Sequence, residues 1–112
     1  MKKFRALIIG YDINAYYLAR CYHEFTGEKA DLLANYIAGE KPFSYTRYTN
    51  ILIIRYRENL WDEKVFLEEL DLYFNEHKKE KILLVSSNET YGEFIAKNKA
   101  KLKKKFFFNY PS

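Results

Sequence analysis

ALIIGYDINAYYLARCYHE, residues 6–24, changes its hydrophobic period midway and thereby decides the fold. Its apolar start, 6–9, is typical of a strand buried on both faces, as strands of parallel sheets are. Gly10 permits a sharp turn or a close approach to a ligand, and Asp12 stands where a helix N-cap belongs. From Ile13 onward a helical stripe follows, made of Ala15, Leu18, Ala19 and Tyr22. A strand, a glycine turn and a helix form the first half of a βαβ unit.

The rest of the chain continues the alternation of strands and helices. Apolar runs predict strands at 31–36, 51–56, 82–85 and 106–108, and helical stripes predict helices after Asp62 and from Glu89 to about Leu102. A loop, 39–50, replaces the crossover helix between the second and third strands. The pattern predicts a Rossmann-like α/β fold: an open parallel five-stranded sheet, order 3-2-1-4-5, with helices on both faces. The residues expected to be buried in it are Leu7, Ile8, Ile9, Ile53, Leu83, Leu84 and Val85.

Length and composition indicate one globular domain of 112 residues, with 48% hydrophobic and 30% charged residues. No apolar run approaches the roughly 20 residues of a membrane span, and the basic start leads to Asp12 without a signal-peptide cleavage site. A single cysteine, Cys21, excludes an internal disulfide. We expect it to be buried and inert, in a protein of the reducing cytoplasm.

The net charge of +4 and the aromatic fraction of 19% raise the question of nucleic-acid binding. Acidic and basic residues are interspersed through most of the chain, and only the stretch 97–105 is clearly basic. Because charge alone is a non-specific sign, nucleic acid is disfavoured as a partner. The simpler interpretation of the lysines is a solvated face.

The motifs of several enzyme classes are missing from the sequence. Gly10 is followed by Tyr11 and Asp12, so the chain has no G-x-G-x-x-G cradle, and it has no Walker A sequence. The two histidines, His23 and His77, stand far apart without neighbouring ligands at metal spacing. We therefore predict no metal site and no catalytic residue in this chain.

The predicted sheet brings two polar turns to one edge. Its switch point lies between the first and fourth strands, which places the turn 10–14 beside the turn 86–91. Ligands of such folds collect at the carboxyl ends of the strands, where helix N-termini point. Plain structural roles remain open for the same residues: Asp12, Ser87 and Asn88 as helix caps, and Arg20 as an exposed ion pair with Glu24.

Two stretches resemble a known family. Gly10–Tyr16, followed by Ala19-Arg20 and His23-Glu24, resembles the opening of bacterial ATP-grasp carboxylate–amine ligases, the group that includes the D-aspartate ligases of peptidoglycan synthesis. The stretch 82–111, ILLVSSNETYGEFIAKNKAKLKKKFFFNYP, is similar to a later part of the same domain. It departs from the family at Ser86–Glu89, where a glycine-containing turn ending in Asp is more usual.

The resemblance implies that residues 1–112 are a single pre-ATP-grasp domain, expected to be a fragment of a longer ligase. The domain would shape the substrate side for a small carboxylate or amino acid, and further C-terminal domains would hold ATP and Mg. It would not be catalytic alone, and Gly10 would be its close-approach point for a cofactor. The isolated domain would expose an aromatic patch where those domains pack. It could form a homodimer through that patch. The implied substrate contacts are Asp12, Asn14, Arg20, Ser87, Asn88 and Glu89, with Ser44, Thr46 and Arg47 from the loop.

Two other functions compete with the ligase domain. The first alternative is a stand-alone regulatory or small-ligand-binding module of the same shape. A basic nucleic-acid binder using Lys97–Lys105 is the second alternative. Among the implied contacts, Arg20 is the best suited to a carboxylate or phosphate, because its planar guanidinium offers paired donors.

Overall fold

The computed structural model describes residues 3–10, 13–36 and 51–107. Strands and helices alternate through these ranges as the sequence predicts. The strands are β1 (Lys3–Ile9), β2 (Ala30–Tyr36), β3 (Leu52–Glu58) and β4 (Glu80–Ser86). The helices are α1 (Ile13–Thr26), α2 (Glu63–Glu76), α3 (Glu89–Lys97) and the short α4 (Lys99–Leu102).

The sheet is parallel and has four strands in the order β3-β2-β1-β4. The predicted parallel pairing and the order of the first four strands are confirmed. The predicted fifth strand is wrong for the described residues, because Phe107 makes only an isolated parallel bridge with Leu83. Residues 103–105 form a turn after α4, and Phe106 turns its ring into the core. Pairing with β4 is therefore limited to this one bridge within the described ranges, and residue 108 of the predicted strand lies outside them.

Helices cover both faces of the sheet, as predicted. The α1 face is packed with small and aliphatic side chains: Ala6, Ile8, Ala15, Ala19, Ala30, Leu32 and Leu52. The opposite face carries α2, α3 and α4 over a larger core that includes Leu7, Ile9, Leu33, Phe66, Leu70, Tyr73, Ile82, Leu84 and Ile95. Alanines at the α1 interface allow the helix backbone to approach the sheet closely.

Helix ends follow the capping chemistry in the sequence. The Asp62 carboxylate accepts a hydrogen bond from the Lys64 amide at 2.9 Å and begins α2. The predicted third helix is interrupted at Asn98, whose side-chain amide donates to the Phe94 carbonyl at 2.8 Å and to Glu63 at 2.9 Å. An asparagine side chain that bonds to backbone competes with helix continuation, and the chain resumes as α4.

Three of the residues expected to be buried are more exposed than predicted. Leu7, Ile8, Ile9 and Leu84 are buried as expected, but Ile53 is 52% exposed and Leu83 and Val85 are half-buried. The reason is geometric. Ile53 lies on the edge strand β3 of the described sheet. Among the described elements, α1 packs mainly on β1 and β2, so it covers the β4 residues Leu83 and Val85 only in part. Cys21 is also exposed, on the outer side of α1, contrary to the expectation of burial. In the described ranges, no helix is long and apolar enough to cross a membrane.

Candidate functional site

The candidate site lies at the carboxyl ends of β1 and β4. These two strands are neighbours, with Ile9 paired to Ser86 at their ends. The helix that follows β1 packs on one face of the sheet, and the helix that follows β4 packs on the other. The chain therefore departs in opposite directions from adjacent strands, which is the switch point where open α/β sheets bind ligands.

Direct contact joins the two turns at this edge. The Ser87 amide donates to the Ile9 carbonyl at 2.9 Å, and the Ser87 hydroxyl donates to the same oxygen at 3.2 Å. Gly10 is buried, donates its amide to the Leu33 carbonyl at 3.1 Å and has a φ of +152°. A Cβ at Gly10 would lie 1.6 Å from the Ser87 Oγ. Glycine is thus required there by backbone conformation and by space, and the predicted proximity of the two turns is confirmed through Gly10 and Ser87.

Hydrogen bonds within the β4 turn hold its shape. The Ser86 hydroxyl donates to the Asn88 carbonyl at 2.6 Å and accepts from the Asn88 amide at 3.2 Å. The Asn88 side-chain oxygen accepts from the Tyr91 amide at 3.1 Å, so Asn88 is the N-cap of α3. The capping role left open for Asn88 is therefore confirmed, and the turn presents its polar groups from a fixed backbone.

An open groove of about 540 Å³ lies alongside this turn and the first two turns of α3. Gly92 and Ala96 give it a wall of small residues, and Glu89 and Glu93 contribute two exposed carboxylates. The groove also contains Ser86, Ser87 and Asn88. Two carboxylates beside hydroxyl and amide groups suit a ligand that carries an ammonium group and further hydrogen-bonding atoms.

The other predicted contacts fall into two groups. Asn14 is exposed in the first turn of α1. Arg20 is seven residues past the start of α1, about 10 Å along its axis, and its Nε donates to Glu24 at 3.0 Å on the exposed side of the helix. That hydrogen bond raises the pKa of Arg20, and the structure does not bring Arg20 to the Ser87 turn. The remaining predicted contacts lie outside the described residues: Asp12, Ser44, Thr46 and Arg47.

A buried polar cluster that the sequence analysis missed lies at the opposite edge of the sheet. Arg5 donates to Asp31 at 2.8 Å and also pairs with Glu80, and the Tyr73 hydroxyl donates to Asp31. Asp31 is only 6% exposed, and burial raises the pKa of Tyr73. Every buried side-chain polar atom in the described ranges has a hydrogen-bond partner.

Two arginines extend this polar face along the edge strand. Arg55 pairs with Glu69 at 2.7 Å and with Glu76 at 2.6 Å, and Arg57 reaches Glu69 at 3.1 Å. Glu69 is 4% exposed. Two features of the sequence could have indicated this pairing. Arg55 and Arg57 are two residues apart in a strand and so lie on the same face, and Glu69 lies on the apolar stripe of α2. These paired charges fix α2 on the sheet.

No family model, curated protein or solved structure matches the chain. The family resemblance therefore rests on sequence motifs alone, chiefly those at 10–24 and 82–111, with the loop at 44–49 in the place of a similar family loop. In the described ranges, no group of three or more histidine, cysteine or acidic residues is arranged to hold a metal ion.

Proposed function

We propose that the groove beside Ser87 binds a small amino-acid-like substrate, and that the chain is the substrate-side domain of an ATP-dependent carboxylate–amine ligase. The observation that carries the proposal is the contact of Gly10 with Ser87, which joins two polar turns at the switch point of the sheet. The ligase assignment is further supported by the sequence motifs that contain these two turns.

Different residues of the groove bind different groups of the substrate. Glu89 and Glu93 attract the ammonium group of the substrate, because opposite charge favours its protonated form. Ser87 and the exposed amides at the start of α3 hydrogen-bond to polar oxygens of the ligand. Asp12 and Asn14 are the proposed contacts from the segment after β1, and Ser44, Thr46 and Arg47 are those proposed from the loop.

The chemistry of the full enzyme requires groups beyond this domain. Such a ligase activates a carboxylate as an acylphosphate and transfers the acyl group to an amine. Phosphoryl transfer depends on Mg and a cationic cradle around the phosphates, which the resemblance assigns to further domains. The chain alone is therefore expected not to turn over ATP.

The nucleic-acid alternative is weakened by ion pairs within the basic run. Lys97 pairs with Glu63 at 3.1 Å and Lys105 pairs with Asp71 at 2.6 Å, so part of the positive charge is neutralised. A stand-alone binding module would use the same groove as the ligase domain. The two differ in whether coding sequence for the catalytic domains follows Ser112.

Calorimetric titration with a panel of D- and L-amino acids tests the binding site. We expect one or more to bind, and Glu93→Gln to weaken that binding about tenfold, the effect of losing one charge-assisted hydrogen bond. The matched control is Glu28→Gln, which removes the same charge from an exposed residue before β2. Equal weakening by both variants, or no binding by the unaltered chain, would overturn the site.

A separate assay tests the role of the domain. Purified residues 1–112 are incubated with Mg, ATP and the same amino acids, and phosphate release is followed. We expect no turnover above the protein-free rate. Turnover that disappears in Asp12→Ala would show a complete enzyme and contradict assignment as a substrate-side domain, whatever the titration gives.

A further inference from the structure

A second pocket, of about 200 Å³, lies at the amino edge of the sheet, away from the groove. It is bounded by the end of α2, the start of β4 and the segment after α4. We call it the lysine pocket, because five lysines line it together with one acid and three aromatic rings. Its residues are Lys78, Lys81, Lys103, Lys104 and Lys105, with Glu80, Phe74, Phe106 and Phe107.

Folding concentrates positive charge at this pocket. Lys78 and Lys81 come from the turn before β4 and its start, and 103–105 comes from a turn more than twenty residues later. The one acid in the lining, Glu80, is already bonded to Arg5 and His77. Within the described part of the chain, Lys78, Lys103 and Lys104 have no ion-pair partner. Lysines brought together from separate segments repel one another, and a bound anion would relieve that repulsion.

Aromatic rings hold two of the lysines at the pocket. The Lys81 ammonium lies 5.9 Å from the centre of the Phe107 ring, and the Lys105 ammonium lies 5.6 Å from that of Phe74. Cation–π contacts at these distances orient an ammonium without neutralising its charge. Lys105 also pairs with Asp71 at 2.6 Å, which neutralises part of its charge and fixes its position further. The pocket therefore presents positioned cations rather than a diffuse basic surface.

The size of the pocket restricts the anion. A volume of about 200 Å³ corresponds to about seven water molecules at roughly 30 Å³ each, which is room for a short chain of phosphate groups. Single-stranded nucleic acid needs a longer basic groove and several stacking rings. Of the three rings that line this pocket, only Phe107 is exposed, at 53%, and so available for stacking.

We propose that the lysine pocket binds a ligand that carries two or more adjacent phosphate groups. Lysine binds phosphate as a point charge with three donors, and several lysines match a polyphosphate better than a single carboxylate. The pocket is independent of the proposed substrate groove, because the two lie at opposite ends of β4, about 20 Å apart at 3.3 Å per residue.

Calorimetric titration of the full chain with inorganic tripolyphosphate tests the proposal. The variant Lys78→Gln/Lys103→Gln/Lys104→Gln removes three exposed lysines from the pocket. Its matched control, Lys64→Gln/Lys97→Gln/Lys101→Gln, removes the same charge from exposed positions outside it. We expect the pocket variant to weaken binding at least tenfold and the control to weaken it less than twofold. Because all six positions are exposed, circular dichroism should show both variants folded.

Two comparisons identify the source of the phosphate. Orthophosphate should bind at least tenfold more weakly than tripolyphosphate, since it reaches fewer lysines. An oligothymidylate of ten nucleotides should bind no more tightly than tripolyphosphate at equal phosphate concentration. Equal weakening by the two triple variants, tighter oligonucleotide binding, or no tripolyphosphate binding would each overturn the proposal.

Discussion

Replacing Gly10 with alanine tests the contact that joins the two turns. The φ of +152° strains any residue with a Cβ, by about 1–3 kcal/mol. The new Cβ would also lie 1.6 Å from the Ser87 Oγ and 2.9 Å from its Cβ. Rotating the hydroxyl away breaks its bond to Ile9 and leaves the Cβ contact too short, which adds about 1–3 kcal/mol, as overpacking does. We expect Gly10→Ala to lower the free energy of unfolding by about 2–6 kcal/mol in total.

Urea denaturation, followed by circular dichroism, measures this loss in a double-mutant cycle. Ser87→Gly removes the overlapping atoms, so Gly10→Ala in that background should lose only the backbone part, and the coupling should be about 1–3 kcal/mol. Gly27→Ala is the matched control: its φ is +76° and nothing lies within 4 Å of the added Cβ. It should lower the free energy of unfolding by about 1 kcal/mol, with no coupling to Ser87. A cycle with zero coupling between Gly10 and Ser87 would refute the packing of the two turns.

Three further predictions concern caps and titrating groups. Asn88→Ala should lower the free energy of unfolding by about 1 kcal/mol through loss of the α3 cap, as measured by urea denaturation. Asn88→Asp should keep most of the stability of the unaltered chain, because aspartate also caps helices. Burial raises the pKa of Tyr73 above its ordinary value of 10.0, so its contribution to stability is present below pH 10 and is lost as pH rises. Tyr73→Phe should therefore lose less stability between about pH 9 and 11 than the exposed control Tyr17→Phe; equal alkaline slopes would contradict burial of the hydroxyl. The hydrogen bond from Arg55 lowers the pKa of Glu76 below 4.5, so its contribution is present above pH 4.5 and lost as pH falls through the lowered value. Glu76→Gln should flatten the decline of melting temperature below pH 4.5, and an unchanged decline would contradict that pairing.

Local patterns predicted the first strand, its turn and the following helix. The change from a continuous apolar run to a 3.6-residue stripe occurs at Gly10, and the glycine is needed there because no side chain fits against Ser87. The caps Asp62 and Asn88 were visible as polar residues that precede apolar stripes. The alternation of strands and helices then predicted that the strands pair in parallel and predicted the order of the first four. This in turn predicted that the two polar turns would adjoin.

The errors arose where tertiary packing decides the outcome. Phe106 was assigned to a fifth strand because its run is apolar, but its ring packs in the core together with side chains of α2 and α4. Ile53 was expected to be buried, and nothing in its own segment shows that α2 leaves the edge strand β3 half uncovered. The partnership of Arg5 with Asp31 and Glu80 joins residues 26 and 75 positions apart, which no local pattern reveals. For Arg20 the sequence left two roles open, a ligand contact and an ion pair with Glu24, and the structure contains the ion pair.

The most direct test of the central claim is to locate where a small amino acid binds on the labelled chain. Amide chemical shifts of ¹⁵N-labelled protein are recorded while the tightest-binding amino acid of the panel is added. The account predicts that the largest shifts fall at the carboxyl edge of the sheet, on Gly10 and on Ser87 to Glu89, with little change at Arg5 or Glu80. Shifts concentrated at the amino edge, or spread evenly over the domain, would contradict a substrate site at the junction of β1 and β4.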